Sequence, residues 1–454
     1  MSTASRQLAS ALNNQANALH AQGQSLQALA LFDRALALEP DFVEAYSNRG
    51  NALRRLKRFS EAMASYGTAI TLRPDYGPAH NNLGLVWQEL GDYETAIACH
   101  DRALAIDPRN AFAHNNRGRA LRAMLRLDEA LASYNQALSY KPDFTEAVWN
   151  KAVVLLTQGD YEHGWRLYES RRVNTQAFGP PESFGALDWR GDHPLNGKTL
   201  LIHNEQGLGD SIQFCRYASM LADRGATVVL RVQPNLRTLM KSLAGVTNVI
   251  STEDTPPPVD FQCPLPSLPF SMGTRLDTVP APIPYLQPSR DTRTEWASRL
   301  GRARKPRLGL VWRGNPLHTN DHNRSIALAD LLTIVSEALD WISLQQGLLE
   351  HEQDLLQRNG VMTLGHDLQD FDDTAAICQQ LDGVISVDTS VAHLAGALGV
   401  RTFLLLPFAP DYRWLIDRKD TPWYPTMTLL RQTRAGDWNG PLSELKGLTH
   451  AMSN

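Results

Sequence analysis

The sequence is poor in the features that mark disulfide-stapled or zinc-bound proteins. It has only four cysteines in 454 residues, Cys99, Cys215, Cys263 and Cys378, and no two of them form a C-x-x-C pair. This scatter argues against a disulfide framework and against a structural zinc site, and it is typical of a reducing compartment.

Long apolar runs and an excess of basic charge are also missing. No stretch approaches the roughly 18 uninterrupted apolar residues of a spanning helix, and the first 14 residues contain no apolar segment behind a basic start. Lys and Arg total 44 against 48 for Asp and Glu, so no global positive field attracts nucleic acid or an acidic membrane. We expect a cytoplasmic protein without a nucleic-acid partner or a membrane span.

Two features that the sequence does have are a long chain and an internal repeat. A chain of 454 residues exceeds one ordinary hydrophobic core and predicts two or three domains. Prolines recur at a constant interval of 34 residues, at Pro40, Pro74, Pro108 and Pro142. This interval is that of the tetratricopeptide (TPR) repeat, a helical hairpin whose second helix is stopped by proline. The pattern predicts an all-α solenoid over residues 8–172, with four full repeats and an atypical fifth.

One asparagine recurs at the same place in the first helix of every repeat. The row comprises Asn14, Asn48, Asn82, Asn116 and Asn150. Stacking the repeats would align these carboxamides, which can donate to and accept from a peptide backbone together. The row therefore predicts a groove for a protein or peptide partner. Hydrogen bonding between neighbouring helices of the stack is the alternative explanation.

After residue 172 the period ends, and residues 173–197 are predicted to form a linker. Short apolar runs then alternate with helical patterns, which is typical of parallel strands buried on both faces. The proline-rich residues 255–288 are interpreted as a hinge between two Rossmann-like halves, residues 198–290 and 300–454. This arrangement is an α/β module of the GT-B type, with ligands at the carboxyl ends of its strands.

The first group of candidate residues follows the first strand of this module. Gly207 and Gly209 permit a close backbone approach, and Asp210 stands at the start of the next helix. A carboxylate there can accept a proton from an acceptor hydroxyl. The alternative is an aspartate that only caps the helix.

The second group is a polar loop behind the strand that ends at Trp312. Arg313, Asn315, Arg324 and Ser325 suit a diphosphate, with Arg324 as the counter-charge of the leaving group. An exposed polar loop without a ligand is an equally good explanation of this composition.

The third group comprises Asp388, Thr389, Ser390 and His393, where an apolar strand passes into a helix of small residues. Free N–H groups and two hydroxyls at a helix start suit an anion. His393 lies one turn inside the helix, where a histidine is more often a packed core residue.

Together these stretches resemble glycosyltransferase family 9, the bacterial ADP-heptose:lipopolysaccharide heptosyltransferases. The resemblance begins near Lys198 and rests on Gly209-Asp210 and on residues 388–399. It implies that Asp210 is the general base, that Thr389, Ser390 and His393 contact the donor phosphates, and that Arg324 replaces a phosphate-binding lysine. Residues 198–290 would then form the acceptor side and residues 300–454 the nucleotide-sugar side. The layout is similar to TPR-fused bacterial glycosyltransferases and to O-linked N-acetylglucosamine transferases, which implies a protein acceptor.

We therefore expect a metal-independent, inverting glycosyltransferase that uses a nucleotide-sugar as donor and needs no cofactor. Arg324 and helix N-termini would stabilise the leaving group in place of a metal ion. Two alternatives remain open: a TPR adaptor with a catalytically inactive nucleotide-binding module, and a nucleotide-sugar epimerase.

Overall fold

The structure of the protein, a computed structural model, describes residues 3–318, 320–365 and 367–452. It divides into two compact units, Met1–Val154 and Leu155–Asn454. The division falls inside a helix, whereas the solenoid was predicted to extend to residue 172. Within the described residues, no helix combines the length and the apolarity that a membrane span requires.

The first unit is entirely helical and built from antiparallel hairpins. Its helices are α1 (Thr3–Ala21), α2 (Ser25–Leu38), α3 (Val43–Arg55), α4 (Phe59–Leu72), α5 (Gly77–Glu89), α6 (Tyr93–Ile106), α7 (Ala111–Ala123), α8 (Leu127–Tyr140) and α9 (Thr145–Thr157), which crosses the division. Helices α2, α4, α6 and α8 each end two residues before one of the periodic prolines. Proline disfavours helical geometry at the residue before it, so the 34-residue spacing sets the lengths of the hairpins.

A glycine beneath an aromatic ring holds the two helices of a hairpin together. A Cβ atom built on Gly50 would lie 2.5 Å from the ring of Tyr66, and one built on Gly118 would lie 2.6 Å from the ring of Tyr134. Only a glycine accommodates the ring at this distance. In the third repeat the equivalent ring is that of His100, and Gly84 lies beneath it.

The asparagine row forms hydrogen bonds between successive repeats. Four of its members donate through Nδ2 to an asparagine of the preceding repeat over 2.9–3.1 Å: Asn48 to Asn13, Asn82 to Asn51, Asn116 to Asn81 and Asn150 to Asn115. Asn14, in the first repeat, is exposed. These bonds are the ones expected if the row ties the stack together. Each bond uses one of the two N–H groups of an Nδ2 atom, so the other N–H and the Oδ1 acceptors stay available for a peptide.

The second unit contains two parallel sheets. The first comprises β1 (Leu187–Asp188), β2 (Thr199–His203), β3 (Thr227–Val232), β4 (Val246–Ser251) and β5 (Phe261–Pro264), in the order β1-β5-β2-β3-β4. The second comprises β6 (Arg307–Val311), β7 (Asp340–Ser343), β8 (Val361–Thr363), β9 (Gly383–Val387), β10 (Thr402–Leu406) and β11 (Met427–Arg431), in the order β11-β10-β9-β6-β7-β8.

Helices connect these strands. They are α10 (Tyr161–Tyr168), α11 (Thr175–Phe178), α12 (Leu208–Phe214), α13 (Tyr217–Asp223), α14 (Arg237–Met240), α15 (Leu268–Ser271), α16 (Arg290–Leu300), α17 (Asp321–Arg324), α18 (Leu328–Leu331), α19 (Glu350–Arg358), α20 (Phe371–Cys378), α21 (Ser390–Ala397) and α22 (Asn439–His450). Single 3₁₀ turns occur at Glu169–Arg172, Pro234–Leu236, Leu265–Ser267, Leu276–Thr278, Leu332–Ile334 and Tyr412–Trp414.

The order of the second sheet is that of a doubly wound α/β fold. From β6 the chain adds β7 and β8 on one side, then returns to add β9, β10 and β11 on the other. The loops after β6 and β9 therefore diverge from one point at the carboxyl edge, where such sheets bind ligands. In the first sheet the corresponding point lies between β2 and β5.

The proline-rich hinge is a prediction that the structure corrects in part. Residues 261–264 form β5, which is hydrogen-bonded between β1 and β2. This strand pairs by only four residues, follows Pro256, Pro257 and Pro258, and ends at Pro264. It therefore lacks the long β-branched run that identifies a strand in sequence.

His100 gives the first unit a pH dependence that can be measured. Its Nε2 accepts from Gln88 and its Nδ1 donates to Asn81, both over 3.0 Å. Burial, and next Arg119, lower its pKa from 6.5 to about 3. Unfolded His100 takes up a proton below pH 6.5 whereas the folded one does not, so stability falls as the pH drops through this window.

We predict that the free energy of unfolding falls by about 2 kcal/mol as the pH is lowered from 7 to 5, because His100 is protonated only in the unfolded chain. His100→Tyr, which restores the residue type found at 66 and 134, should lose that portion of the pH dependence. Urea unfolding followed by circular dichroism at both pH values measures it, with the exposed His351→Tyr as control. If the free energy of unfolding changed equally between pH 7 and pH 5 in His100→Tyr and in the unaltered chain, the prediction would be wrong.

Candidate functional site

Asp210 is the third residue of α12, the helix that follows β2. Its Oδ2 accepts a hydrogen bond of 2.9 Å from the backbone N–H of Gly207, the residue before α12. The carboxylate therefore caps the helix, which is the alternative to a catalytic role that the sequence left open. Capping engages one oxygen and leaves the other directed elsewhere.

That second oxygen pairs with Arg413, which lies in the 3₁₀ turn between β10 and β11 of the second sheet. Arg413 Nη2 donates to Asp210 Oδ1, Nη1 donates to Asp411 over 2.7 Å, and Nε donates to Gln213 over 2.7 Å. The side chains of Arg413 and Asp210 are only 11% and 14% exposed. A charge pair this deeply buried links the helix after β2 to the segment after β10.

The start of α21 meets the same pair. A Cβ atom on Gly209 would lie 2.8 Å from His393 Cδ2, so only a glycine permits this approach of α12 to α21. His393 Nδ1 lies 2.8 Å from the hydroxyl of Tyr424, and its Nε2 lies 4.0 Å from Asp388. Burial, and then the nearby Arg413, lower the pKa of His393 well below its usual value, which keeps the ring neutral.

Asp388 is a buried acid at the mouth of β9. Its side chain is 15% exposed. Burial, and next the neighbouring Asp411, raise its pKa to about 6. Its backbone carbonyl accepts a 3.0 Å hydrogen bond from Arg324 Nη1, so the loops after β6 and β9 are joined at the point where the sheet order reverses.

Arg324 is held in place by its own loop. Its Nε donates to Asp321 over 3.1 Å, and Gly314 passes so close that a Cβ atom there would lie 2.4 Å from Arg324 Nη2. The side chain is 17% exposed. The structure therefore brings Asp210, Gly209, Asp388, His393 and Arg324 around the Arg413 guanidinium and its neighbours.

Other predicted donor residues have partners of their own. Arg313 is bound by Glu352, with its Nη2 also donating to the carbonyl of Gly347 over 2.6 Å. Ser325 Oγ accepts from Gly314 N, and Asn315 Oδ1 accepts from Leu317 N in an exposed turn.

The two hydroxyl residues at the start of α21, Thr389 and Ser390, differ in their surroundings. Thr389 Oγ1 lies 3.0 Å from Ser386 Oγ. Ser390 is the first residue of the helix, where the leading N–H groups have no acceptor within the helix.

A buried aromatic cluster surrounds these charges. The ring of Trp165 on α10 packs edge-on against Tyr412, Trp423 and Phe214 at 5.7–6.4 Å between centroids. Trp423 Nε1 donates to the hydroxyl of Tyr161, also on α10, over 3.0 Å. Helix α10, which the sequence assigns to the solenoid, is thus part of the core of the second unit.

A second buried arginine completes the cluster. Arg216 donates to the carbonyls of Pro280 and Trp423 and to the hydroxyl of Tyr285, over 2.7–2.9 Å. It also lies over the rings of Tyr285, Trp423 and Tyr424. Carbonyls and aromatic faces compensate this charge without a carboxylate.

The 3₁₀ turn after α10 fixes the loop that leads to Asp210. Arg171, fully buried, donates through Nε and Nη2 to the two oxygens of Glu205 over 2.8 and 3.0 Å. The Tyr168 hydroxyl lies 3.2 Å from the Gln206 carboxamide. Glu205 is therefore a structural partner of Arg171.

An Asp-x-Asp element, a pattern that can hold a divalent ion, occurs at Asp370-Phe371-Asp372. Asp370 accepts from the N–H groups of Asp372 and Asp373 and caps α20, and Asp372 accepts from Ser289 N over 2.9 Å. These contacts give Asp370 a capping role and bind Asp372 through Oδ1, while Asp372 Oδ2 is buried without a hydrogen-bond partner among the described residues.

Sequence reasoning missed Arg413 and the role of its neighbours. Residues 410–425 are rich in aromatics, which indicates burial but not the element against which they pack. The available signal was Arg413, which stands between two aromatic residues and two positions after an acid, Asp411. Its partner, Asp210, is 203 residues away, and no local pattern reports that distance.

Comparisons with known families identify the repeats. Residues 16–57 and 50–91 match a family described as TPR repeat, and residues 77–110 and 115–163 match two described as tetratricopeptide repeat. The amino-terminal region therefore consists of TPR repeats.

Among curated proteins, FlbA of Caulobacter vibrioides is 28% identical over 317 residues, covering 63% of this chain and 52% of FlbA. The chain thus spans about half the length of this relative. Among solved structures, YrrB, described as a TPR protein with an unusual peptide-binding site, is 24% identical over 35% of this chain and 82% of its own, with a TM-score of 0.29. PilW, described as a type IV pilus biogenesis factor, is 22% identical over 37% and 79%, with a TM-score of 0.35.

The buried pair allows a direct test of its contribution to stability. Arg413→Gln leaves the largely buried Asp210 without its cation, so we predict a loss of about 3–5 kcal/mol in the free energy of unfolding. Arg418→Gln is the matched control, because Arg418 pairs with an exposed Asp420, and its loss should stay below about 1 kcal/mol. Similar losses in the two variants, measured by urea unfolding, would show that the Arg413 pair does not hold the fold.

Proposed function

We propose that the chain is a glycosyltransferase that moves a sugar from a nucleotide-sugar to a protein or peptide recruited by its TPR repeats. The observation that carries the proposal is the convergence of Arg324, Asp388 and the α21 start at the reversal point of a doubly wound sheet, opposite Asp210 of the other sheet. Such points bind nucleotides in α/β proteins. TPR repeats supply the protein-interaction part.

The donor diphosphate would lie at the start of α21. The leading N–H groups of that helix and the Arg324 guanidinium offer hydrogen bonds to phosphate oxygens, and both would stabilise the charge of the leaving nucleoside diphosphate. Arg324 suits this role because Asp321 and the Asp388 carbonyl orient it in advance. No metal ion is required for this chemistry.

Two buried polar groups near Arg413 support a ligand on this face. Gln213 Nε2 and the Tyr412 hydroxyl have no hydrogen-bond partner among the described residues. Groups of this kind usually bond to protein, water or a ligand, since leaving them unpaired costs about 1–3 kcal/mol.

Asp210 would act as the general base toward the acceptor hydroxyl. An ionised carboxylate has about four acceptor sites, so the bonds from Gly207 and Arg413 leave room for a substrate hydroxyl. Those bonds fix the carboxylate in one orientation, which a base acting at hydrogen-bond distance requires.

A second candidate function is that of a TPR adaptor whose α/β unit does not catalyse. The favouring observation is the same Arg413 pair, because the guanidinium and the Gly207 N–H already engage both oxygens of the carboxylate that would act as the base. This alternative predicts nucleotide binding without sugar transfer.

The donor site is tested by titrating nucleoside diphosphates into the full chain. Arg324→Gln should weaken binding by about 1.5–3 kcal/mol, the range for a hydrogen bond to a charged group. Arg358→Gln, an exposed arginine on α19, should bind as the unaltered chain does. Unchanged affinity in a folded Arg324→Gln variant would remove Arg324 from the site.

Asp210→Asn separates catalysis from binding. Asparagine still accepts from Gly207 but cannot take a proton, so transfer to a peptide acceptor should fall by about 10²–10⁴-fold with little change in nucleoside diphosphate affinity. The measurement is sugar incorporation from a panel of nucleotide-sugars. Full turnover by Asp210→Asn would exclude it as the base, and nucleotide binding without transfer by the unaltered chain would favour the adaptor.

The asparagine row is tested with Asn48→Ala, Asn82→Ala and Asn116→Ala in one chain. Each removed bond between repeats should lower stability by about 0.5–1.5 kcal/mol. If the Oδ1 atoms also accept from a bound peptide, the acceptor KM should rise while the donor KM stays the same. Reduced stability with an unchanged acceptor KM would restrict the row to holding the stack.

A further inference from the structure

The second unit contains a charged cavity that the proposed function does not use. Its volume is about 500 Å³, within the range of small-molecule sites. It opens between α10, the 3₁₀ turn that follows it, and the edge of the first sheet. Arg166, Arg172 and Arg190 line it, together with Glu169 and Asp188.

Both carboxylates of the cavity are satisfied by other groups. Glu169 accepts from Arg171 through one oxygen and from Ser267 through the other. Asp188 accepts from Gln262 over 3.0 Å and pairs with Arg172 over 2.7 Å. Neither acid therefore needs a further cation.

The arginines are less completely paired. Arg172 Nε is buried and has no hydrogen-bond partner among the described residues. Arg190 is 62% exposed and reaches Asp188 only at 3.9 Å, and no carboxylate within 4.0 Å of Arg166 is found among those residues. Arg172 thus shares Asp188 through Nη2, whereas Arg166 and Arg190 have no close carboxylate partner among the described residues, and the unbalanced charge of the lining is positive.

The cavity also has an apolar side. Phe270 forms part of the wall, and Val173 lies at the cavity with 67% of its surface exposed. A ligand with one anionic end and a less polar body would satisfy both sides of the lining.

We propose that this cavity binds a small molecule carrying an oxyanion, phosphate or carboxylate, through Arg166, Arg172 and Arg190. Guanidinium groups bind both anions in the same forked geometry. The site is separate from the donor site, because none of its lining residues belongs to the second sheet or to the loop that carries Arg324.

The test titrates inorganic pyrophosphate, and separately citrate, into the full chain by calorimetry. The key variant is Arg166→Gln with Arg190→Gln, since both side chains are accessible and their loss should leave the fold intact. Its affinity for the better of the two anions should fall at least tenfold. Arg324→Gln and the exposed control Arg358→Gln should retain binding at this site.

The variants also separate this site from the proposed donor site. Loss of binding in Arg324→Gln with no change in Arg166→Gln/Arg190→Gln would assign the anion to the donor site and overturn the proposal. Equal weakening by Arg358→Gln would indicate a nonspecific charge effect and overturn it too, as would no binding of either anion to the unaltered chain. If the double variant unfolds, Arg166→Glu alone is compared with Arg358→Glu by the same criteria.

Discussion

The second unit depends on buried arginines that link elements distant in sequence. Arg413 binds Asp210 of the opposite sheet, and Arg216 spans Tyr285 and the carbonyl of Trp423. Removing such charges from water is costly, and the cost is offset only when acids, carbonyls and aromatic faces surround them completely. The two sheets and α10 are therefore held in one geometry by contacts that tolerate little displacement.

The candidate site is a consequence of that geometry. Gly209 of α12 lies against His393 of α21, and the neighbouring Asp210 binds Arg413 after β10. The reversal of strand order between β6 and β9 opens the carboxyl edge next to this contact. A donor bound at Arg324 and an acceptor hydroxyl at Asp210 would then lie at the same edge, within the second unit.

The sequence predicted periodic features well and long-range pairings poorly. The 34-residue spacing defined the TPR hairpins, and the short apolar runs that alternate with helical patterns predicted the parallel strands of the second unit. Strand β5 was assigned to a hinge because prolines mask its short apolar run. The packing of α10 into the second unit and the Asp210–Arg413 pair depend on tertiary contacts that local patterns do not encode.

We expect the buried cluster to make the two sheets unfold as one cooperative structure. Native-state hydrogen exchange of the full chain in low urea tests it most directly, because it reports the opening free energy of each strand. The amides of Leu200–Ile202 in β2 and Leu404–Leu406 in β10 should exchange through one opening, with the same free energy and the same urea dependence. Separate openings, with one sheet exchanging while the other stays protected, would contradict the account.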